Sequence, residues 1–450
     1  MAGSPPSTKP AKALDILIVG AGVCGPIFAL IMQRANPNHN ITVIERWPTL
    51  RTGGQQLDLK AQCIEIMRRL GLLEELRKVC VQEPGIEIVN SNGKKLMQLG
   101  VTKAGDKGTA FEITNEFEFM RGDFVKIAYN ASLKDRENLE AKGHKGGSLT
   151  YMFNTSLTGL SQSADSPTTT VTLSTGATAT YDLVVAADGQ ASRTRRLAFG
   201  EAINKAAFHS LNIHVAFYNI PRLPSDTDFA HVYVGTQNRH VLTRTGNCPF
   251  TQVYLFQWKS AQHTPTMQNI HSQPLDVQKR HWSSLFRPIG WQSERFTDEL
   301  EKTEDFYATE IAQVKMPDDR LFNGSVVLLG DAGYCPSSMT GKGTTLSIAG
   351  AYTLAGELAA NPDDVGAALK GYETRLRPLI DDAQQLKSWL NNGKGPFPQS
   401  SWGLWLLNNL LWVVSTCRVD RGLAAVAGWM AKGEKEGWKV PDYKMNTNAF

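Results

Sequence analysis

The chain has 450 residues, room for about two or three domains and a large buried core. Hydrophobic residues make up 42% and charged residues 20%, which excludes a disordered, collagen-like or coiled-coil chain. With 47 Lys+Arg against 43 Asp+Glu, the net charge of +4 is too small to point to nucleic acid as the main partner.

Residues 1–13, rich in Ser, Pro and Lys, read as a disordered tail and lack the apolar run of a secretory signal. The C-terminal Asn448-Ala449-Phe450 is not a peroxisomal address. Ile16-Leu17-Ile18-Val19 is apolar throughout, as a strand buried on both faces must be. Gly20-Ala21-Gly22 leads into a predicted helix near 23–34, and Ile41–Glu45 reads as a second parallel strand. Together they form a βαβ unit. Residues 59–80 have helical periodicity; short strands follow around Gly85–Val89 and Lys95–Leu99. Phe124–Lys134 predicts a helix. Residues 149–185 predict a β-meander with a Thr175-Gly176 turn, ending in the apolar strand Leu183–Ala187. Residues 206–260 alternate like strands, and 274–302 look helical. A third buried strand, Val326–Leu329, precedes a glycine-punctuated turn and a long helix, 343–360, and a further helix is expected over Tyr372–Leu390. After a break at Gly393–Pro398, the apolar Trp402–Val414 is too short for a membrane span of about 20 residues. It predicts a helix packed on the core, with a lid or membrane-surface contact as the alternative.

The six cysteines, Cys24, Cys63, Cys80, Cys248, Cys335 and Cys417, contain no CxxC pair. That excludes a disulfide scaffold and the usual zinc spacings, and it fits a reducing, cytoplasmic location with no metal site.

Gly20-x-Gly22-x-x-Gly25 lies between strand and helix, where each glycine has a physical reason. The first permits the turn, the second lets a pyrophosphate approach the backbone, and the third lets helix and strand pack closely. The helix N-terminus supplies free N–H groups for phosphate. Glu45, ending the second strand, is placed for ribose hydroxyls. The motif indicates a dinucleotide but does not choose between FAD and NAD(P). Two more signals follow buried strands: Asp188-Gly189-x-x-Ser192-x-x-Arg195, and Gly330-Asp331-Ala332 followed by Gly341-x-Gly343-Thr344.

With these three motifs in this order over residues 14–380, the chain resembles the FAD-dependent aromatic hydroxylases. These are single-component flavoprotein monooxygenases with a p-hydroxybenzoate-hydroxylase-like fold. Gly53-Gly54-Gln55-Gln56-Leu57-Asp58-Leu59, Arg121-Gly122-Asp123 and Gly330–Pro336 make it similar to the branch of tetracycline-inactivating enzymes and fungal secondary-metabolite oxygenases. The fold class implied is α/β. A Rossmann-like FAD-binding domain (14–80, 116–200, 321–390) is interleaved with a β-sheet substrate domain (81–115, 201–320), with a helical segment at 391–450. The resemblance implies noncovalent FAD, with Gly20, Gly22 and Gly25 at the pyrophosphate, Glu45 at the adenosine ribose and Arg46 beside the adenine end. Arg121 would reach the phosphate–ribityl region, Asp331 the ribityl chain, and Asp58 the cofactor. Asp188 and Gly189 would lie near both FAD and the incoming nicotinamide, and Gly341, Gly343 and Thr344 would open a helix facing the flavin. Two departures mark the loop beside the ring: Tyr334 stands where the family usually has His, and Ser338 where it has Pro, with Pro336 two residues earlier. Cys335 reads as a small buried thiol.

The implied reaction reduces FAD with NADPH or NADH as transient co-substrate. Reaction with O2 then forms a flavin hydroperoxide that hydroxylates or epoxidises a fairly large aromatic, polyketide- or alkaloid-like molecule. Arg51, Arg193 and Arg195 are candidate contacts for the nicotinamide cofactor's phosphates. His214, Arg239 and Tyr334 are candidate catalytic or substrate residues, an arginine being suited to orient an enol or phenolate. The competing readings are a related flavoenzyme dehydrogenating, epoxidising or reducing an isoprenoid, and a flavin-binding sensor without turnover. The expected partners are a small-molecule substrate, O2 and NAD(P)H, without nucleic acid or a membrane span.

Overall fold

The computed structural model describes residues 12–51, 53–100, 117–163, 167–258, 264–386, 397–417 and 438–443. The predicted tail before Lys12, the end of the 372–390 helix and most of the C-terminal segment lie outside these residues.

Asp15–Val19 is the central strand its apolar run requires. It pairs in parallel with Asn40–Ile44 on one side and Leu183–Ala186 on the other. The sheet has six strands: Phe322–Asn323, Val326–Leu328, Leu183–Ala186, Asp15–Val19, Asn40–Ile44 and Ser148–Met152. Alternation sorts the central strand's side chains between two cores. Ile16 and Ile18 pack among the helices Cys24–Ala35 and Gly343–Ala360, while Leu17 and Val19 pack on Leu157, Val171 and Leu173 of a small antiparallel sheet. Gly343–Ala360 is buried along nearly its whole length, which explains why its sequence is apolar all round.

Ser148–Met152 departs from expectation. It falls almost wholly within the 149–185 range expected to form the meander, but it pairs in parallel with Asn40–Ile44, and the meander is only Leu157–Gln162, Thr169–Leu173 and Thr178–Tyr181. A strand whose partner lies about 100 residues earlier leaves no local turn signal to distinguish the two pairings.

A second sheet of seven strands runs Phe306–Val314, Phe208–Pro221, Phe250–Gln257, Arg239–Arg244, Ala230–Val234, Gly85–Val89 and Lys95–Gly100. Every pair is antiparallel except Ala230–Val234 with Gly85–Val89. One face is covered by the helices Leu275–Phe286 and Ser293–Lys302, through Trp282, Phe286, Phe296 and Leu300. The other face turns toward the parallel-sheet part, joined by a two-stranded ribbon, Gln56–Asp58 with Glu118–Met120.

The C-terminal helix is Ser401–Thr416. It was expected to pack on the core, yet Leu404 is its only buried residue, and Trp402 and Trp405 are 71% and 61% exposed. Its sequence is apolar on both faces, so hydropathy alone does not show that only one arc meets the protein.

Candidate active site

The glycine turn is shaped by contacts a side chain would destroy. Gly20 has φ +111°, and a Cβ there would lie 2.6 Å from the carbonyl oxygen of Ala187; one at Gly25 would lie 2.0 Å from that of Gly20. The turn therefore packs directly on the Asp188-Gly189 segment. Gly22 differs: the nearest atom to a Cβ is the Arg121 guanidinium, at 3.3 Å. Glu45 accepts from the N–H of Ala21 at 2.9 Å and from that of Trp47 at 3.1 Å, holding the turn against the end of its strand. Arg46 is exposed, its guanidinium 5.7 Å from the Trp47 ring.

Arg121 is the first residue of the helix Arg121–Ala141 and reaches across this cleft, donating to Gly53 O at 3.4 Å. A Cβ on Gly54, at φ +130°, would meet its Cδ at 3.0 Å. Burial and nearby Arg51 push the Arg121 guanidinium below its ordinary range, against the pull of Glu45, Tyr307 and Asp331. From the far side, Asp331 follows the strand Val326–Leu328. A Cβ on Gly343 would lie 4.0 Å from its Oδ1, and one on Gly341 3.5 Å from Asp58 Oδ2. Gly20, Gly22, Glu45, Asp58, Arg121, Asp331, Gly341 and Gly343 are thus brought together from six chain segments.

The residues present fit FAD. Neither Cys24–Ala35 nor Gly343–Ala360 has a side-chain cap at its N-terminus. Both helices therefore direct backbone donors and partial positive charge at the cleft, with Thr344 in the first turn of the second. Burial pushes the Asp331 carboxyl above its ordinary value, with Cys335 and Arg121 pulling it back. Such a group gains from hydroxyl donors of the kind a ribityl chain carries.

Other expected residues are engaged elsewhere. Asp188 accepts from the N–H and hydroxyl of Thr194, at 3.0 and 2.9 Å, and from Ser192, so its carboxylate anchors the helix Arg193–Phe199. Gly189, at φ +81°, makes the turn before it. Arg195, 2% exposed, donates to Ala332 O (2.7 Å), Gln190 O (3.0 Å) and Asn204 Oδ1 (2.9 Å). It ties the Asp-Gly and Gly-Asp motifs together and is too buried to meet a visiting phosphate. Arg193 donates to Leu157 O at 3.4 Å, and Arg51 lies 4.9 Å from the Tyr307 ring.

The three catalytic candidates do not converge. His214 and Arg239 lie in one row of the large sheet through Gln257, on the face covered by helices. Arg239 donates to Leu285 O at 2.6 Å, and His214 Nδ1 meets His271 Nε2 at 2.9 Å. Burial drives the His214 imidazole down to about 4, keeping it neutral. Tyr334 is buried in the other core, its hydroxyl 2.9 Å from that of Tyr372. Each is held by a hydrogen-bond partner on its own side of the fold. The face turned toward the cofactor segment presents instead Phe217, Phe256, Tyr254 and His240. Met339, from the loop before Gly341, packs in the same cluster as Phe217 and Phe256. His240 stands between Trp258 and Phe397, with both ring nitrogens buried and unpartnered. Period-two alternation along Phe250–Gln257 could have separated Tyr254 and Phe256 from Gln257; only the register shows which set meets the cofactor side.

Residues 13–386 match the family described as the FAD binding domain. The chain is 39% identical over 435 residues to the FAD-dependent monooxygenase asL6 of Sarocladium schorii, covering 96% of this chain and 98% of that one. It is 32% identical over 401 residues to the flavin-dependent monooxygenase eupH of a Phoma species, covering 84% and 87%. The crystal structure of tetracycline destructase Tet(51) superposes with a TM-score of 0.71 at 22% identity, over 97% of this chain and all of that one. The glycine cleft, the interleaved sheets and these relatives lead to one conclusion: the chain belongs to the FAD-dependent monooxygenases.

Proposed function

We propose that this chain hydroxylates or epoxidises a fairly large aromatic, polyketide- or alkaloid-like small molecule, with NADPH or NADH and O2 as co-substrates, in secondary metabolism or its detoxification. The observation that carries the reading is the meeting of Arg121, Asp58, Asp331 and the 341–343 turn beneath a sheet face rich in aromatic residues. FAD, when bound, supplies the redox and oxygen chemistry. Gly20 and Gly22 let the pyrophosphate approach the backbone, Arg121 neutralises it, and Asp331 holds the ribityl hydroxyls. The uncapped N-terminus of Gly343–Ala360 favours negative charge developing on the ring system. Phe217, Phe256 and Met339 offer an apolar wall that excludes water from the reacting centre. Arg51 and Arg193 are the arginines proposed for the nicotinamide cofactor's phosphates.

The test is NADPH or NADH oxidation by the FAD-loaded protein in the presence of candidate aromatic metabolites. The reading expects substrate-stimulated oxidation and a product that has gained one oxygen. A product that has lost two hydrogens instead would make the chain a dehydrogenase. No helix among the described residues is long and apolar enough to cross a membrane. The outward Trp402, Trp405 and Leu410 support weak contact with a membrane surface, which co-sedimentation with lipid vesicles tests.

A further inference from the structure

Asp58 and Arg121 are both set by the ribbon Gln56–Asp58 with Glu118–Met120, one within it and one directly after it. A two-stranded ribbon is marginally stable in water and holds little geometry alone. The large sheet grips it. The Tyr254 hydroxyl accepts from the N–H of Gln56 at 3.1 Å and donates to Gln252 Oε1 at 2.9 Å. Gln252 Nε2 in turn donates to Gln56 Oε1 at 3.1 Å. Gln56 Nε2 donates to Glu118 Oε2, an oxygen that also accepts from Arg244. Arg244 is braced by Glu83, Nε to Oε2 at 3.2 Å. Gln56 is thus held at its backbone nitrogen and at both ends of its amide by side chains that are themselves buried. Gln55 O accepts from the N–H of Arg121 at 3.1 Å, so the ribbon also fixes where that helix begins.

We propose that the Tyr254–Gln252–Gln56–Glu118–Arg244 network positions Asp58 and Arg121 for the cofactor, so that the substrate-side sheet sets the affinity of the FAD site. This rests on the reading of Asp58 and Arg121 as FAD contacts. Tyr254, Gln252 and Arg244 are positioning residues; they act through the ribbon. Buried networks of this kind are worth more together than as separate pairs, because each partner fixes the next.

The experiment uses the full-length protein stripped of flavin and titrated with FAD, followed by flavin fluorescence and the visible spectrum of the bound flavin. Tyr254→Phe is expected to weaken FAD binding roughly 5- to 10-fold, the loss of a buried hydrogen bond or two. Asp58→Ala should also weaken it, and the double variant should lose less than the product of the two single losses. Tyr218→Phe is the control: its hydroxyl donates to Phe296 O at 3.0 Å on the helix-covered face of the same sheet. It should lower the melting temperature and leave FAD affinity within about 2-fold. Should Tyr254→Phe fail to fold, Gln252→Leu breaks the same grip and carries the same expectation. The inference is overturned if the Asp58 and Tyr254 losses multiply independently, or if Tyr218→Phe weakens FAD as much as Tyr254→Phe. It is also overturned if Tyr254→Phe binds FAD normally while Asp58→Ala and Arg121→Ala do not. If Asp58→Ala, Arg121→Ala and Asp331→Ala all bind FAD normally, the cofactor site itself is misplaced and the inference falls with it.

Discussion

Gly22 and Gly25 stand three residues apart in one turn, yet a methyl group at each should fail in a different way. At Gly25 the new Cβ would lie 2.0 Å from the carbonyl oxygen of Gly20, a backbone atom that cannot swing aside. Overpacking of this kind costs about 1–3 kcal/mol, occasionally more, and it is felt whether or not flavin is present. At Gly22 the first atom met is the tip of Arg121, 3.3 Å away, and the backbone is not in the left-handed region. Gly22→Ala should therefore leave the stability of the flavin-free protein within about 0.5 kcal/mol. Gly22→Val, however, fills the space through which a pyrophosphate approaches and pushes on the arginine that would neutralise it. If the same 1–3 kcal/mol falls on the complex alone, FAD binding weakens about 5- to 150-fold. Urea unfolding of the flavin-free variants, paired with FAD titration, separates the two effects. The reasoning is refuted if Gly22→Ala destabilises the flavin-free fold as much as Gly25→Ala, or if Gly22→Val retains full FAD affinity.

Asp331→Ala should weaken FAD binding roughly 10- to 100-fold, the loss of hydrogen bonds to a charged acceptor, measured by the same titration. Arg239→Met should cost about 1–3 kcal/mol in urea unfolding, by freeing the buried Leu285 carbonyl, and keep its flavin; loss of flavin would return Arg239 to the cofactor side. Tyr334→Phe should cost about 1 kcal/mol and leave turnover per bound flavin unchanged, because its hydroxyl bonds Tyr372 inside the core. Burial lowers the His240 imidazole from 6.5 to about 3. The unfolded chain therefore takes up a proton that the folded chain refuses, so the stability is full above about pH 6.5 and falls as pH drops toward about 3. His240→Phe should flatten the part of the acid slope owed to this residue, read from urea midpoints across that range; an unchanged slope would mean the ring is protonated or solvated in the folded state.

The parallel sheet was legible because its strands carry their environment in their composition. Ile16–Val19, Leu183–Ala186 and Val326–Leu328 are uninterrupted apolar runs, each followed within three residues by a glycine, with Asp188 or Asp331 beside it after the second and third. The cofactor cleft was legible for the same reason, since Gly20, Gly22, Asp331 and Gly341 follow strand ends that the runs mark out. The large sheet was harder. Both of its faces are covered, so His214 and Val215, or Arg239 and His240, are equally buried, and burial does not say which faces the cofactor. That answer depends on register, which pairs His214 with Gln257, across a long connection, and Gln257 with Arg239. Arg195 misled for a related reason: an arginine beside an Asp-Gly turn suggests a surface contact, and only packing shows it spanning two motifs inside the protein.

The neighbours of Leu183–Ala186 impose an order on synthesis. On one side lies Asp15–Val19, made early; on the other lies Val326–Leu328, which follows every strand of the seven-stranded sheet in the chain. A nascent chain displays the glycine turn long before Asp331 and the 341–343 turn exist to complete the cleft. Flavin can stabilise only what binds it, so it cannot rescue the early chain and acts as a folding ligand only near the end of synthesis. Until then the seven-stranded sheet must form while exposed parallel edges wait for a distant partner, a slow and aggregation-prone interval. Added riboflavin should therefore raise the yield of finished holoprotein while leaving losses during translation unchanged. A fragment ending before Val326 should be insoluble with or without it.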